Sequence, residues 1–159
     1  MVDHGADPYD VNRMWWDECA GFHLDTPLYQ GYVERLAGGG HSLLPLEVRE
    51  VGDVNGLDVL HLQCHVGTDT LSLARLGATA TGVDFSPVAI REATALGSRL
   101  GIKARFVEAE IAEIGDLFAG QFDLVFTSYG VITWLSDLGI WGRNIAQALR
   151  PGGRLYIAE

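Results

Sequence analysis

Val59-Leu60-His61-Leu62-Gln63-Cys64-His65-Val66-Gly67-Thr68-Asp69-Thr70 is the stretch that decides how this chain is read. Val59, Leu60 and Leu62 predict a short buried strand. A bend with one glycine follows, and 70–76 predicts a helix stopped by Gly77. A strand that turns sharply into a helix leaves unpaired N–H groups at the helix start, beyond the strand's carboxyl end. In open α/β sheets that is where a nucleotide-like ligand docks. A strand–turn–helix unit with no ligand has the same local pattern, so the neighbouring sequence has to decide.

Downstream the alternation continues. Residues 78–83 predict a second strand ending at Asp84, and Ser86-Pro87 supplies an N-cap and a first-turn proline for a helix to Leu100, closed by Gly101. A third strand is expected over 104–107, a short helix near 112–118 and a fourth strand over 122–127. A helix over 139–149 should halt at Pro151-Gly152-Gly153 before a fifth strand, 154–159. Mostly apolar strands alternating with helices predict an α/β fold: a Rossmann-like, doubly wound, mostly parallel sheet covered on both faces.

Upstream, residues 1–8 read as a loose tail and 12–20 as a helix. Pro27 marks a break before a second helical stretch to Leu36, and 43–48 restarts an apolar segment after Gly38-Gly39-Gly40. Residues 1–50 are therefore expected to form a helical extension or lid, and 51–159 the sheet domain. The extension is rich in aromatics, Tyr9, Trp15, Trp16, Phe22, Tyr29 and Tyr32, which suit either core packing or closure over a pocket.

A length of 159 residues suits one domain, and 48% hydrophobic with 20% charged residues is an ordinary globular composition. The net charge is −10, with no basic cluster, so a nucleic-acid substrate is not expected. Neither a membrane span nor a signal peptide is evident, and two cysteines make no disulfide framework, so a cytoplasmic setting is expected.

Asp84 lies at the end of the second strand, about twenty residues past the bend, where a doubly wound fold places an acid for ribose hydroxyls. Glu110-Ile111 follows the third strand, where an acid can accept from an adenine amino group while its neighbour covers the ring. From Leu57 to Glu159 the chain resembles the class I S-adenosylmethionine-dependent methyltransferases. The resemblance rests on residues 59–67, on Gly82-Val83-Asp84-Phe85-Ser86, on Glu108-Ala109-Glu110-Ile111, on strand four, and on Leu149-Arg150-Pro151-Gly152-Gly153-Arg154-Leu155. It implies S-adenosylmethionine as cofactor, a small-molecule acceptor, and a cofactor site drawn from His61, Gln63, Cys64, His65, Gly67, Asp84, Phe85, Glu110, Ile111 and Tyr129. Tyr129 and Asp137 are the candidates for catalysis.

Two departures stand out. His61 replaces the family's acid, and Gln63 and His65 stand where glycines are usual. The run nevertheless resembles a variant first motif found in one bacterial branch of the family. His61, Cys64 and His65 also raise a metal site, but a strand residue and two bend residues need not converge. The G-x-G-x-x-G fingerprint of nicotinamide enzymes is absent. A non-catalytic binding or scaffold domain of the same fold is the alternative reading. Family members continue past strand five with a helix and two more strands, so the sequence is expected either to be a fragment or to have its sheet completed by another chain; alone, it would leave a strand-five edge open to self-association.

Overall fold

The computed structural model describes residues 7–159; the tail expected at 1–8 lies mostly outside the described residues. Three helices come first: α1 (Pro8–His23), α2 (Pro27–Ala37) and α3 (Pro45–Val51). Strands and helices then alternate: β1 (Asp58–Leu62), α4 (Thr68–Arg75), β2 (Thr79–Asp84), α5 (Pro87–Leu100), β3 (Arg105–Glu108), α6 (Ile114–Leu117), β4 (Phe122–Ser128), α7 (Leu138–Ala148) and β5 (Leu149–Ala158). The strands form one sheet in the order β3-β2-β1-β4-β5, each neighbouring pair parallel. The order reverses between β1 and β4, which opens a crevice at the strands' carboxyl ends.

Side chains alternate across each strand, and both faces are covered over β1, β2 and β4, while Leu155 and Ile157 of β5 stay exposed. Leu60, Leu62, Val83 and Val125 pack with Ile114, Phe118, Trp141 and Ile145 on one face. On the other, Val59, Ala80, Leu124 and Phe126 meet Leu73, Leu43, Val51 and Val54. The doubly wound α/β fold is as the sequence predicts. Val51 from α3 and Val54 beyond it belong to the sheet's own core, so the N-terminal segment is built into the domain at this point.

Several boundaries differ from expectation, each for a local reason. Pro8, Pro27, Pro45 and Pro87 each stand in the first turn of a helix, which needs no N–H from them, and Pro27 marks the break between α1 and α2 as the sequence predicts. α4 begins at Thr68, since Gly67 is its left-handed N-cap (φ 76°). β5 begins at Leu149, opposite Phe122, and pairing resumes at Leu124 with Arg154. Arg150 and Pro-Gly-Gly thus form a bulge within the strand, not a turn before it, with Gly152 at φ 84°. Arg150 ties this bulge to Asp58 (2.7 Å) and Asp123 (2.8 Å) and holds the Asp123 carboxyl below its ordinary range. The outer edge of β5 pairs with no strand among the described residues.

Gly67 and Gly101 both have positive φ, but only Gly67 is crowded: a Cβ there would lie 2.7 Å from Phe106 Cε1 and 2.8 Å from Ala93 Cβ, while Gly101 faces open space. Left-handed backbone costs an L-residue about 1–2 kcal/mol, and overpacking a core adds about 1–3 kcal/mol. Urea unfolding should therefore show Gly67→Ala losing about 3 kcal/mol and Gly101→Ala about 1 kcal/mol.

Candidate functional site

The bend after β1 alternates left-handed residues: Gln63 at φ 48°, His65 at φ 49° and Gly67 at φ 76°. Only the last is glycine. The strain at the other two is held by hydrogen bonds from the neighbouring strand. Cys64 N–H donates to Val83 O (2.9 Å), and His65 N–H donates to Asp84 Oδ2 (2.8 Å). The second Asp84 oxygen accepts from Ser86 N–H at 2.9 Å. Burial pushes the Asp84 carboxyl up to about 6, against the lowering effect of those N–H groups.

Beyond this bend lies a cavity of about 640 Å³. His61, Gln63, Cys64, His65, Asp84, Phe85, Glu110, Ile111, Tyr129 and Asp137 all stand on its wall. Gly67 lies behind the bend, packed against Phe106 and Ala93. His61 is buried, its Nδ1 2.8 Å from Thr70 Oγ1 and its ring edge-on to Phe126. Desolvation drives its pKa down to about 4, so the ring is neutral where the family's acid would be charged. Burial raises the Cys64 thiol well above its usual range. Tyr129 is half exposed in a left-handed conformation (φ 43°), its phenol raised mainly by desolvation. Asp137 is occupied as the N-cap of α7, accepting from Ile140 N–H at 2.9 Å.

One face of α1, Tyr9, Asn12 and Trp16, covers the cavity. Tyr9 meets Phe85 edge-on (5.7 Å between centroids), and burial, with the Glu110 carboxylate nearby, pushes its phenol up to about 12. Trp16 stands edge-on to His65 (5.5 Å) and Trp134 (5.4 Å). Trp15, expected beside it, is 53% exposed and off the cavity wall, because adjacent helical residues point about 100° apart. His23 Nδ1 lies 2.8 Å from His65 Nε2, and Tyr29 stacks on His23. One imidazole must donate and the other accept, so the contact admits no more than one charged ring. Asp17 accepts from Ser86 Oγ, which pins α1 to the β2–α5 corner.

Opposite α1, Ser42 Oγ donates to Asp69 Oδ1 (2.6 Å) and Ser128 Oγ to Asp69 Oδ2 (3.2 Å). Glu47 of α3 lies beside them on the wall. Sequence reasoning offered Tyr9 for closure over a pocket but did not single out Asn12, Ser42, Glu47, Asp69 or Trp134 as wall residues. Asp69 had a signal, an acid in the first turn after the bend. The others sit in segments without a motif, and only the packing of the extension brings them here.

Burial lowers His65 to about 4, as it does His61. Between pH 6.5 and 4 the unfolded chain binds protons at these rings and the native chain does not, so stability falls as pH drops through that window. Asp84 acts the other way between about 6 and 3.8, because its native carboxyl takes up a proton first. Asparagine tolerates left-handed backbone, so His65→Asn should unfold with a shallower acid loss between pH 6.5 and 4, followed by thermal melts.

The Methyltransferase domain family matches residues 60–155 of the chain. A ubiquinone biosynthesis O-methyltransferase of Escherichia coli is 30% identical over 168 residues, covering 99% of this chain and 63% of that protein. The chain thus spans less than two thirds of the length of such curated relatives. The structure of an S-adenosylmethionine-dependent methyltransferase from Mesorhizobium loti is 25% identical with a TM-score of 0.62, over 71% of this chain and 50% of that one. At 18% identity, magnesium protoporphyrin IX methyltransferase from Synechocystis shares the fold with a TM-score of 0.69, over 98% of this chain and 77% of that one. With a parallel sheet reversing at β1/β4, an acid closing β2 and the family match over most of the sheet domain, the chain belongs to the methyltransferase-domain family.

Proposed function

We propose that this chain is the cofactor- and acceptor-binding part of an S-adenosylmethionine-dependent methyltransferase acting on a hydroxyl of a small, uncharged, largely aromatic molecule. The observation that carries the reading is the cavity at the sheet's switch point, walled by Asp84 and the left-handed bend. Its wall holds Glu47, Asp69, Asp84, Glu110 and Asp137 and, among the described residues, no Lys or Arg. That charge balance favours a cofactor carrying sulfonium and ammonium groups and disfavours an anionic acceptor.

The residues fit the cofactor. Each Asp84 oxygen is engaged by one backbone N–H, which leaves a lone pair on each for ribose hydroxyls. Glu110 would accept from the adenine amino group, with Phe85 and Ile111 beside the ring. Gln63 Nε2 and Asn12 Oδ1 are buried without partners among the described residues, an unmet donor and acceptor for the amino-acid end.

When bound, S-adenosylmethionine supplies an activated methyl group. The chain's own work is positioning, exclusion of water and handling of the acceptor's proton. α1 and α2, as a lid, exclude water through Tyr9, Trp16 and Tyr29. Tyr129 stays protonated at neutral pH and suits hydrogen-bond donation to the acceptor. The hydroxyl as methyl acceptor is inferred from the Escherichia coli relative, named an O-methyltransferase. Trp16, Tyr29, Tyr32, Tyr129 and Trp134 make the acceptor side aromatic.

Calorimetry should show one S-adenosylhomocysteine bound per chain, and Asp84→Asn should weaken binding about tenfold or more, as for loss of charge-assisted hydrogen bonds. Wild-type affinity should also decline as pH falls through about 6, where Asp84 takes up its proton. Absence of binding by the wild type would overturn the reading.

A further inference from the structure

Glu47 belongs to no motif, yet its burial is unusual for a carboxylate. It lies in the first turn of α3, 1% exposed, on the cavity wall. Its Oε2 accepts from Leu44 N–H at 2.6 Å. Its Oε1 is shielded from water and has no hydrogen-bond partner among the described residues. Leaving a buried acceptor unmet costs about 1–3 kcal/mol, more for a charged one. No cation on the wall offsets that charge among the described residues. The missing donor is therefore sought in what fills the cavity.

We propose that Glu47 is the catalytic base: a small shift of its carboxyl on acceptor binding opens the free Oε1 to the acceptor's hydroxyl, from which it accepts a hydrogen bond and then the proton during methyl transfer. The proposal rests on the methyltransferase reading above. The acceptor oxygen bonds to the methyl carbon, and the carbon–sulfur bond breaks with its electron pair kept by sulfur. The hydroxyl proton passes to Oε1, leaving a neutral ether, a thioether and a neutral Glu47 carboxyl. A carboxylate is a weak base, which matches a phenolic hydroxyl (about 10) better than a water-like one (about 16). Burial, with Asp69 facing it, raises the Glu47 carboxyl despite the Leu44 N–H bond, a change toward stronger base character. Tyr129 lies near enough to feel the Glu47 charge, but its own raised phenol stays protonated and cannot take this role.

The test is a two-by-two binding cycle on protein saturated with S-adenosylhomocysteine, using 4-butylphenol and 4-butylanisole with the wild type and Glu47→Gln. The glutamine keeps an oxygen for Leu44 N–H and puts an amide nitrogen in place of Oε1. The wild type should bind the phenol about tenfold tighter than the anisole, as for a hydrogen bond to a charged group, and Glu47→Gln should erase that preference. With S-adenosylmethionine and 4-butylphenol, Glu47→Gln should lower kcat about 100-fold with the KM for the cofactor unchanged. An equal phenol preference in both proteins, no binding of either ligand, or a kcat near the wild-type value would each overturn the role of Glu47 while wild-type cofactor binding stands. Failure of the wild type to bind S-adenosylhomocysteine would overturn the methyltransferase reading instead, and the role of Glu47 with it.

Discussion

The hydrogen bond from His65 N–H to Asp84 Oδ2 is the constraint on which the site depends. It joins the end of β1 to the end of β2, and it holds a non-glycine residue in a conformation that costs an L-residue about 1–2 kcal/mol. Cys64 N–H on Val83 O makes a second tie to β2, next to left-handed Gln63. Together they keep the bend in a path that lets α4 start at Thr68 with its N-terminus toward the cavity. The fold enforces the backbone that glycines would otherwise make easy.

Having side chains at those two positions changes what the bend can do. His65 projects into the N-terminal extension, where it meets His23, Trp16 and Tyr29. Gln63 leaves a buried amide nitrogen at the cavity without a partner among the described residues. A glycine bend would present only backbone. This one also builds the wall and fastens the covering helices to it. The acidity of the chain acquires meaning in the same place: carboxylates from α3, α4, β2 and the loops converge on one cavity with no Lys or Arg among the described residues. Net charge alone reads as solvated surface; its placement makes a cation-favouring site.

The sheet was legible in the sequence because both signals it needs are local. Apolar strands in 59–62, 78–83 and 122–127 and capping residues such as Ser86-Pro87 specify elements without knowledge of their neighbours. Element ends were less legible. The start of β5 hides in Pro-Gly-Gly, which reads as a turn until Arg150 is seen tied to Asp58 and Asp123.

For the site, the sequence by itself determined the residues that follow strands: Asp84, Phe85, Glu110 and Ile111 sit at carboxyl ends because parallel order puts them there. It could not determine that Gln63 and His65 would adopt glycine-like backbone, since that depends on N–H acceptors supplied by β2. Nor could it bring Glu47 or Asn12 to the cavity. Each comes from a helix distant in sequence from the bend, and only packing against α4, α5 and the end of β4 decides which of its faces is turned inward.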